Sequence, residues 1–179
     1  MKMKKKSFKN SIKFHKKALK HIPLASQTFS KSSLMYPYGC SPLFLERGNG
    51  CNVWDLDDNK YIDYVLGLLP IIISYKDKEV DNAIKEQLRK GIIFSLPSPV
   101  EQELSETLVK LIPSAEMVRF GKNGSDVTTA AIRLARAYTG RKKIAICGYH
   151  SWHDWFIGST SRDLGVPKEV SNLSYTFNF

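Results

Sequence analysis

The sequence predicts an α/β fold: a parallel-type sheet with flanking helices, preceded by an N-terminal hairpin segment. Two observations carry this. The stretch EMVRFGKNGSDVTTAAIRLARAYTGRKKIAICGYH, Glu116 to His150, reads as strand, glycine loop, helix and strand, the order and length of a βαβ unit. Upstream, VWDLDDNKYIDYV alternates apolar and polar residues on both sides of Asp58-Asn59. Those two residues tolerate the positive φ of tight turns, so two antiparallel strands are expected there. The expected organisation is a basic N-terminal segment and lead-in over 1–40, hairpin and helix over 41–97, and the start of a larger sheet domain over 98–179.

The net charge of +10 belongs to the first of these parts. Lys2, Lys4, Lys5, Lys6, Lys9, Lys13, Lys16, Lys17, Lys20 and Lys31 all precede the first acid, Glu46. That leaves 17 of the 27 basic residues against all 17 acidic ones, so the body is neutral. Phe8, Ile12, Leu19 and Ile22 are loosely spaced for a basic amphipathic helix. A solvated lead-in packed on the body is favoured over a nucleic-acid or membrane arm. The segment has no apolar run of signal-peptide length, and no window of about 18 apolar residues could span a membrane. Cys40, Cys51 and Cys147 are odd in number and lack metal-knuckle spacing, which suits a reducing cytoplasm.

The remaining elements are justified in chain order. LASQTFSKSSLMYPYGCSPLFLERGNG, rich in Ser, Pro and Gly, reads as an extended lead-in to the hairpin. GLLPIIISYKD is an apolar run interrupted by Gly67 and Pro70, a buried loop more than a strand. Val80, Ile84, Leu88 and Ile92 recur at helical spacing, with Gly91 placed to end that helix. In SPVEQEL, Ser98 can cap a second helix, Pro99 suits its first position and Glu101 completes a capping box. Val100, Leu104, Leu108 and Leu111 give it a buried stripe, and Pro113 closes it. The helix after the glycine loop should bury Val127, Ala130, Ala131, Leu134, Ala135 and Tyr138. LSYTFNF, ending at Phe179, alternates like a half-buried strand for which the sequence offers no partner. The chain is therefore expected to be the front portion of a longer protein.

The glycine loop carries the chemistry. A helix N-terminus presents unpaired N–H groups and the positive end of a dipole, and so binds anions. Gly124 lets an anion approach the backbone, Asn123 and Ser125 add short polar side chains, and Thr128 and Thr129 line the next turn. This is chemistry for a phosphate at the C-terminal edge of a parallel sheet. The loop lacks both the nucleotide-triphosphate spacing and the dinucleotide glycine pattern. A plain capped turn is the bland alternative. GKNG also fits the Gly-x-x-Gly loop of KH RNA-binding domains, although there the loop joins two helices. In CGYHSWHDW, an aromatic side chain at the end of the next strand would sit beside the loop. Tyr149 could then face a flat ring attached to the phosphate, with His150 and Asp154 as polar neighbours. Cys147, His150, His153 and Asp154 have ligand-like chemistry, but three of them crowd one loop and no second cluster exists, so no metal is expected. Trp152 and Trp155 read as packing residues.

Together these stretches resemble the N-terminal part of class III aminotransferases, pyridoxal-phosphate enzymes of fold type I, and within them the glutamate-1-semialdehyde aminomutase-like branch. SPLFLERGNGCNVWDLDDNKYIDYV is similar to the family's opening hairpin, DKEVDNAIKEQLRKG to its next helix, and Ser98 to Asp154 to the segment after that helix. The resemblance implies an incomplete fold type I large domain and pyridoxal 5'-phosphate as cofactor. It implies that Asn123, Gly124 and Ser125 hold the phosphate, that Tyr149 stacks on the pyridine ring, and that His150 lies beside it. Asp126 falls on a family glutamate and favours the helix N-terminus. It implies transfer of an amino group on a small amino/keto substrate, and a homodimer for a complete chain, with no membrane and no nucleic acid called for. The alternatives are an RNA-binding protein using the lysines and GKNG, and a non-catalytic remnant or interaction subunit. Asn123 replaces the usual serine, Ser74-Tyr75 stands where Gly-His is common, and Trp152 extends the loop, which puts the semialdehyde in doubt as substrate. The lysine that the family joins to its cofactor would lie beyond Phe179, so the chain by itself is expected to lack catalytic activity.

Overall fold

A computed structural model describes residues 6–178. The chain forms two compact units, Met1–Ser95 and Leu96–Phe179. Lys2, Lys4, Lys5 and Phe179, all given a place by the sequence reading, lie outside the described residues.

The first unit is organised by one buried carboxylate. Strands β1 (Leu45–Asn49), β2 (Asn52–Asp55) and β3 (Lys60–Ile62) form an antiparallel meander in that order. The expected hairpin pairs Asn52 with Ile62 and Trp54 with Lys60. Sequence does not separate β1 from the lead-in, because LERGN carries no apolar alternation. Of the two turn residues, Asp58 alone is left-handed (φ 60°). Asp55, which ends β2, is fully buried and holds the turn together. Its Oδ1 accepts from the amides of Asp57 (3.0 Å) and Asn59 (2.9 Å), and its Oδ2 from Asn59 Nδ2 (2.8 Å) and Tyr61 O–H (2.9 Å). Burial, then the Asp55 contact, pushes the Tyr61 hydroxyl well above its ordinary range.

Helix α1 (Lys9–Ala18) forms in the basic segment. Phe8 gives it no side-chain cap, so the hairpin loop supplies one. Asp57 Oδ1 accepts from the Asn10 amide and Oδ2 from the Ser11 amide, each at 3.0 Å. The fully packed residues are Ser11, His15 and Ala18; of the expected apolar set Phe8, Ile12 and Ile22 are half-buried and Leu19 is half exposed. Burial pushes the Asp57 carboxyl up, but the bonds from Asn10, Ser11 and Ser7 outweigh it and hold it below the ordinary 3.8. A depressed carboxylate stabilises fully above its unfolded-state value, and that contribution fades as pH falls through the lower folded-state value. Protection of the Asn10 and Ser11 amides, taken relative to the intrinsic exchange rate at each pH, should therefore fall as pH drops below 3.8, and in Asp57→Asn protein it should already be reduced at neutral pH.

The loop expected to be buried is exposed at Leu69, Ile72 and Ile73. Its Leu66, Leu68 and Leu69 are left-handed, a conformation that side-chained residues adopt only at a cost. Tyr75 bridges back to Gly50 through two backbone hydrogen bonds (2.9 and 3.0 Å). Its hydroxyl donates to Asp63 Oδ2 at 2.7 Å. That bond and burial raise Tyr75 to about 12. Burial pushes Asp63 up, but the Tyr75 hydroxyl and the amides of Val65, Leu66 and Gly67 hold it below its ordinary value. Helix α2 (Lys78–Lys90) is capped by Asp77 and ended by Gly91 at φ 97°. No helix of the described residues is long and apolar enough to cross a membrane.

In the second unit, α3 (Pro99–Leu111) opens with the expected capping box, the Ser98 amide donating to Glu101 at 3.3 Å. The GKNG loop leads into α4 (Gly124–Thr139), which Gly140 closes at φ 67°. β4 (Ile144–Ile146), α5 (Asp154–Ile157), α6 (Lys168–Ser171) and β5 (Ser174–Thr176) complete it. The strand expected at Glu116–Phe120 does not form, since it has no ladder partner among the described residues. The parallel pair is instead β4 with β5, Ile144 opposite Ser174 and Ile146 opposite Thr176. Ser174–Thr176 thus has the partner that sequence failed to name. The crossover between these two parallel strands carries α5 and α6, so the mixed α/β class holds while the βαβ unit lies one strand later.

The core of this unit is Ile146, Trp155 and Phe156, with Ile132 and Ile144 packed against it. Ile132 is not on the face of α4 predicted to be buried. Leu134 is 71% exposed and Tyr138 is 91% exposed, and Val127 is also open. The stripes of α2 and α3 are likewise exposed at Val80, Ile84, Leu88, Ile92, Val100, Leu104 and Leu111. The periodicity is real, but a stripe is buried only where another layer covers it.

Candidate functional site

The site grows from the start of α4. Asn123 caps the helix, its Oδ1 accepting from the Asp126 amide (3.1 Å) and its Nδ2 donating to Asp126 Oδ2 (2.7 Å). This reciprocal pair leaves the amides of Gly124 and Ser125 without a partner among the described residues. A Cβ built on Gly124 meets nothing within 4 Å, and the residue is not left-handed. Neither packing nor backbone geometry within the chain therefore requires glycine at 124. Gly121 is different: a Cβ there would stand 2.5 Å from Val127 Cγ1, so the first glycine of GKNG serves helix packing. The GKNG loop is preceded by an irregular segment and not by a helix, unlike the loop of a KH domain.

The loop after β4 comes to the same end of α4. Gly148 turns at φ 79° and Tyr149 is next, 74% exposed, its ring edge-on to Phe156 with centroids 5.3 Å apart. The His150 Nε2 lies 2.6 Å from the Cys147 carbonyl. Thr128 Oγ1 donates to the His150 carbonyl (3.1 Å), tying the residue after Tyr149 to the second turn of the helix. Thr129 Oγ1 lies 2.8 Å from His153 Nδ1 and accepts from Trp155 Nε1 at 2.7 Å. Structure thus brings Asn123, Gly124 and Ser125 to the start of the helix whose next turn carries the His150 backbone. Two cavities of about 550 and 520 Å³ run along α4 beside Thr129, Arg133 and His153, and neither is lined by any of the five candidate residues.

Sequence reasoning assigns both tryptophans to packing. Trp155 is buried but also hydrogen-bonded, and Trp152 is 69% exposed with its ring edge-on to His153. The ties through Thr129, His153 and Trp155 escape that reasoning. The available signal is two adjacent threonines in an early helical turn, then a His-x-Trp run after the next strand. Among the described residues no group of three or more His, Cys, Asp or Glu could hold a metal ion.

Known proteins share this arrangement of sequence. The aminotransferase class-III family pattern matches residues 35–178. A 3-aminobutyryl-CoA aminotransferase of Cloacimonas acidaminovorans is 43% identical over 139 residues, covering 77% of this chain and 33% of that protein. A glutamate-1-semialdehyde 2,1-aminomutase of Persephonella marina is 40% identical over 148 residues, covering 76% and 34%. The FumI protein of Sphingopyxis sp. MTA144, solved in a PLP form, superposes with a TM-score of 0.86 at 29% identity, covering 96% of this chain and 41% of that one. The chain spans about a third of the length of the curated relatives it matches. With most of its length inside the family pattern and an incomplete fold type I architecture, the chain belongs to the class III aminotransferases.

Proposed function

We propose that this chain contributes the phosphate-binding and ring-facing part of a pyridoxal-phosphate-dependent aminotransferase or aminomutase acting on a small amino/keto substrate. The observation that carries the reading is the start of α4: partnerless Gly124 and Ser125 amides, open space where a side chain on 124 would project, and a neighbouring loop bearing Tyr149. The fit is chemical. Two amides and the Ser125 hydroxyl suit a phosphate at the positive end of a sixteen-residue helix. Asn123 is occupied with Asp126, so its part is to shape the cap and leave those amides to the ligand. Tyr149, exposed and supported from behind by Phe156, can cover one face of a flat ring. His150 lies beside it with its ring held to the Cys147 carbonyl.

When bound, pyridoxal phosphate supplies an electron-withdrawing ring that lets a proton leave the carbon bearing the substrate nitrogen. This chain's residues fix the phosphate and orient the ring before that step. A homodimer of complete chains is part of the same proposal. Asn123, Ser74-Tyr75 and Trp152 depart from the residues that the resemblance leads one to expect in that branch, which supports an amino or keto compound other than the semialdehyde.

Equilibrium dialysis of native and Gly124→Val protein against pyridoxal phosphate tests the reading. Valine should weaken binding at least about tenfold, because it fills the approach to two charge-assisted hydrogen bonds. The unfolding midpoint should stay close to native, since the Cβ that valine adds meets nothing within 4 Å. Equal affinities would remove the phosphate site.

A further inference from the structure

We propose that Thr129 is a positioning residue for this site: its one hydroxyl fixes the imidazole of His153 and the indole of Trp155, and so sets where Tyr149 and His150 lie relative to the start of α4. The inference rests on the reading of that helix end as the pyridoxal-phosphate site.

The two adjacent threonines do different work. Thr128 Oγ1 has three acceptors in reach, the carbonyls of Gly124 (3.0 Å), Ser125 (3.1 Å) and His150 (3.1 Å). Its single hydrogen is divided between its own helix and the loop, as back-bonding threonines in helices commonly are. Thr129 has no such competition, since both of its side-chain contacts cross to the loop. An indole N–H can only donate, so Thr129 Oγ1 accepts from Trp155. Thr129 Oγ1 keeps both its hydrogen and a second lone pair for His153 Nδ1, so the contact holds with the imidazole hydrogen on either nitrogen. One oxygen thereby spans sequence separations of 24 and 26 residues.

Both anchored rings are tied further. Trp155 belongs to the core with Ile146 and Phe156, and its carbonyl accepts from the buried Ser174 hydroxyl of β5. The His153 amide donates to Ser151 Oγ (2.9 Å), and Ser151 is buried. The loop from Gly148 to Trp152 is therefore clamped on one side by β4 and on the other by residues that converge on Thr129. Phe156, the ring behind Tyr149, is the next residue in the chain after Trp155. A shift of the indole moves the support of the tyrosine with it.

The experiment uses the 179-residue chain, labelled with nitrogen-15, with Thr129→Val and Thr129→Ser variants. Valine keeps the shape and removes the oxygen, whereas serine keeps the oxygen. Hydrogen exchange at the Trp155 indole and at amides 148–153 is measured beside dialysis against pyridoxal phosphate and against inorganic phosphate. In Thr129→Val, indole exchange should rise about tenfold, the scale of one lost hydrogen bond. Pyridoxal-phosphate affinity should fall about tenfold, by the same reasoning. Inorganic phosphate, which needs only the helix end, should bind as before, and serine should restore native values throughout. Unchanged indole exchange, failure of serine to rescue, or equal losses for both ligands with a lower unfolding midpoint would each overturn the proposal. If the native chain binds neither ligand, the cofactor reading falls, and the indole exchange of Thr129→Val against Thr129→Ser still decides the clamp.

Discussion

Replacing Asp55 with alanine should destabilise the first unit by about 3–5 kcal/mol, the scale of two hydrogen bonds to a charged group. Four donors converge on this carboxylate: two backbone amides, the Asn59 amide nitrogen and the Tyr61 hydroxyl. Alanine leaves all four partly buried donors without the acceptor they share, and a donor so stranded forfeits part of its desolvation cost. The damage should spread beyond the turn. The Asp57 amide is one of the four donors, and the Asp57 side chain caps α1, so the helix loses its cap when the turn opens. Asp55→Asn should be milder but still below native stability, because one of its two polar atoms turns from acceptor to donor and faces Asn59 or Tyr61. Urea unfolding monitored on the hairpin amides by NMR isolates this unit. A loss under about 1 kcal/mol, the scale of a single solvated hydrogen bond, would show that water satisfies the turn.

Gly48→Ala should cost about 2–3 kcal/mol and change how the protein responds to alkali, by overpacking and the loss of one hydrogen bond. A Cβ on Gly48 would stand 2.5 Å from Tyr75 Cγ and 2.6 Å from Cδ1, so the ring has to leave the strand it covers. Its 2.7 Å bond to Asp63 goes with it. In the native protein the raised Tyr75 value favours the neutral phenol. Its contribution is complete below the ordinary tyrosine value of 10.0 and is lost as pH rises through about 12. The alanine variant should titrate one tyrosine nearer 10.0 and lack that alkaline loss of stability. Absorbance titration of the tyrosinate band reads the first effect, and urea unfolding midpoints on either side of that pH range read the second. A native-like titration would mean that the backbone, and not the ring, gives way.

Local chemistry is the part that sequence discloses. The Asp58 turn, the Ser98 capping box, the stop at Gly91 and the glycine entry to α4 each depend on a few adjacent residues, and each stands where expected. The features it misses depend on distant partners. EMVRF and IAI look equally strand-like, and only the placement of Ser174–Thr176 decides which of them joins a ladder. The apolar stripes of α2, α3 and α4 announce a buried face, yet burial depends on a covering layer that periodicity cannot supply. At the site, the types and order of Asn123, Gly124, Ser125, Tyr149 and His150 are readable from the resemblance. The hydroxyl contacts that bring their two segments together join residues more than twenty positions apart, and no local pattern encodes such a pairing.

The lysine-rich beginning and the open apolar stripes give this polypeptide the character of a block copolymer, one block cationic and the later one oily. Mutual repulsion between cationic blocks reaches only about one Debye length, about 8 Å at physiological ionic strength. Electrolyte shortens that reach while leaving oily surfaces as adhesive as before. Added salt is therefore expected to weaken the repulsion that holds copies apart while leaving the exposed apolar stripes free to meet, an outcome that light scattering against salt concentration checks.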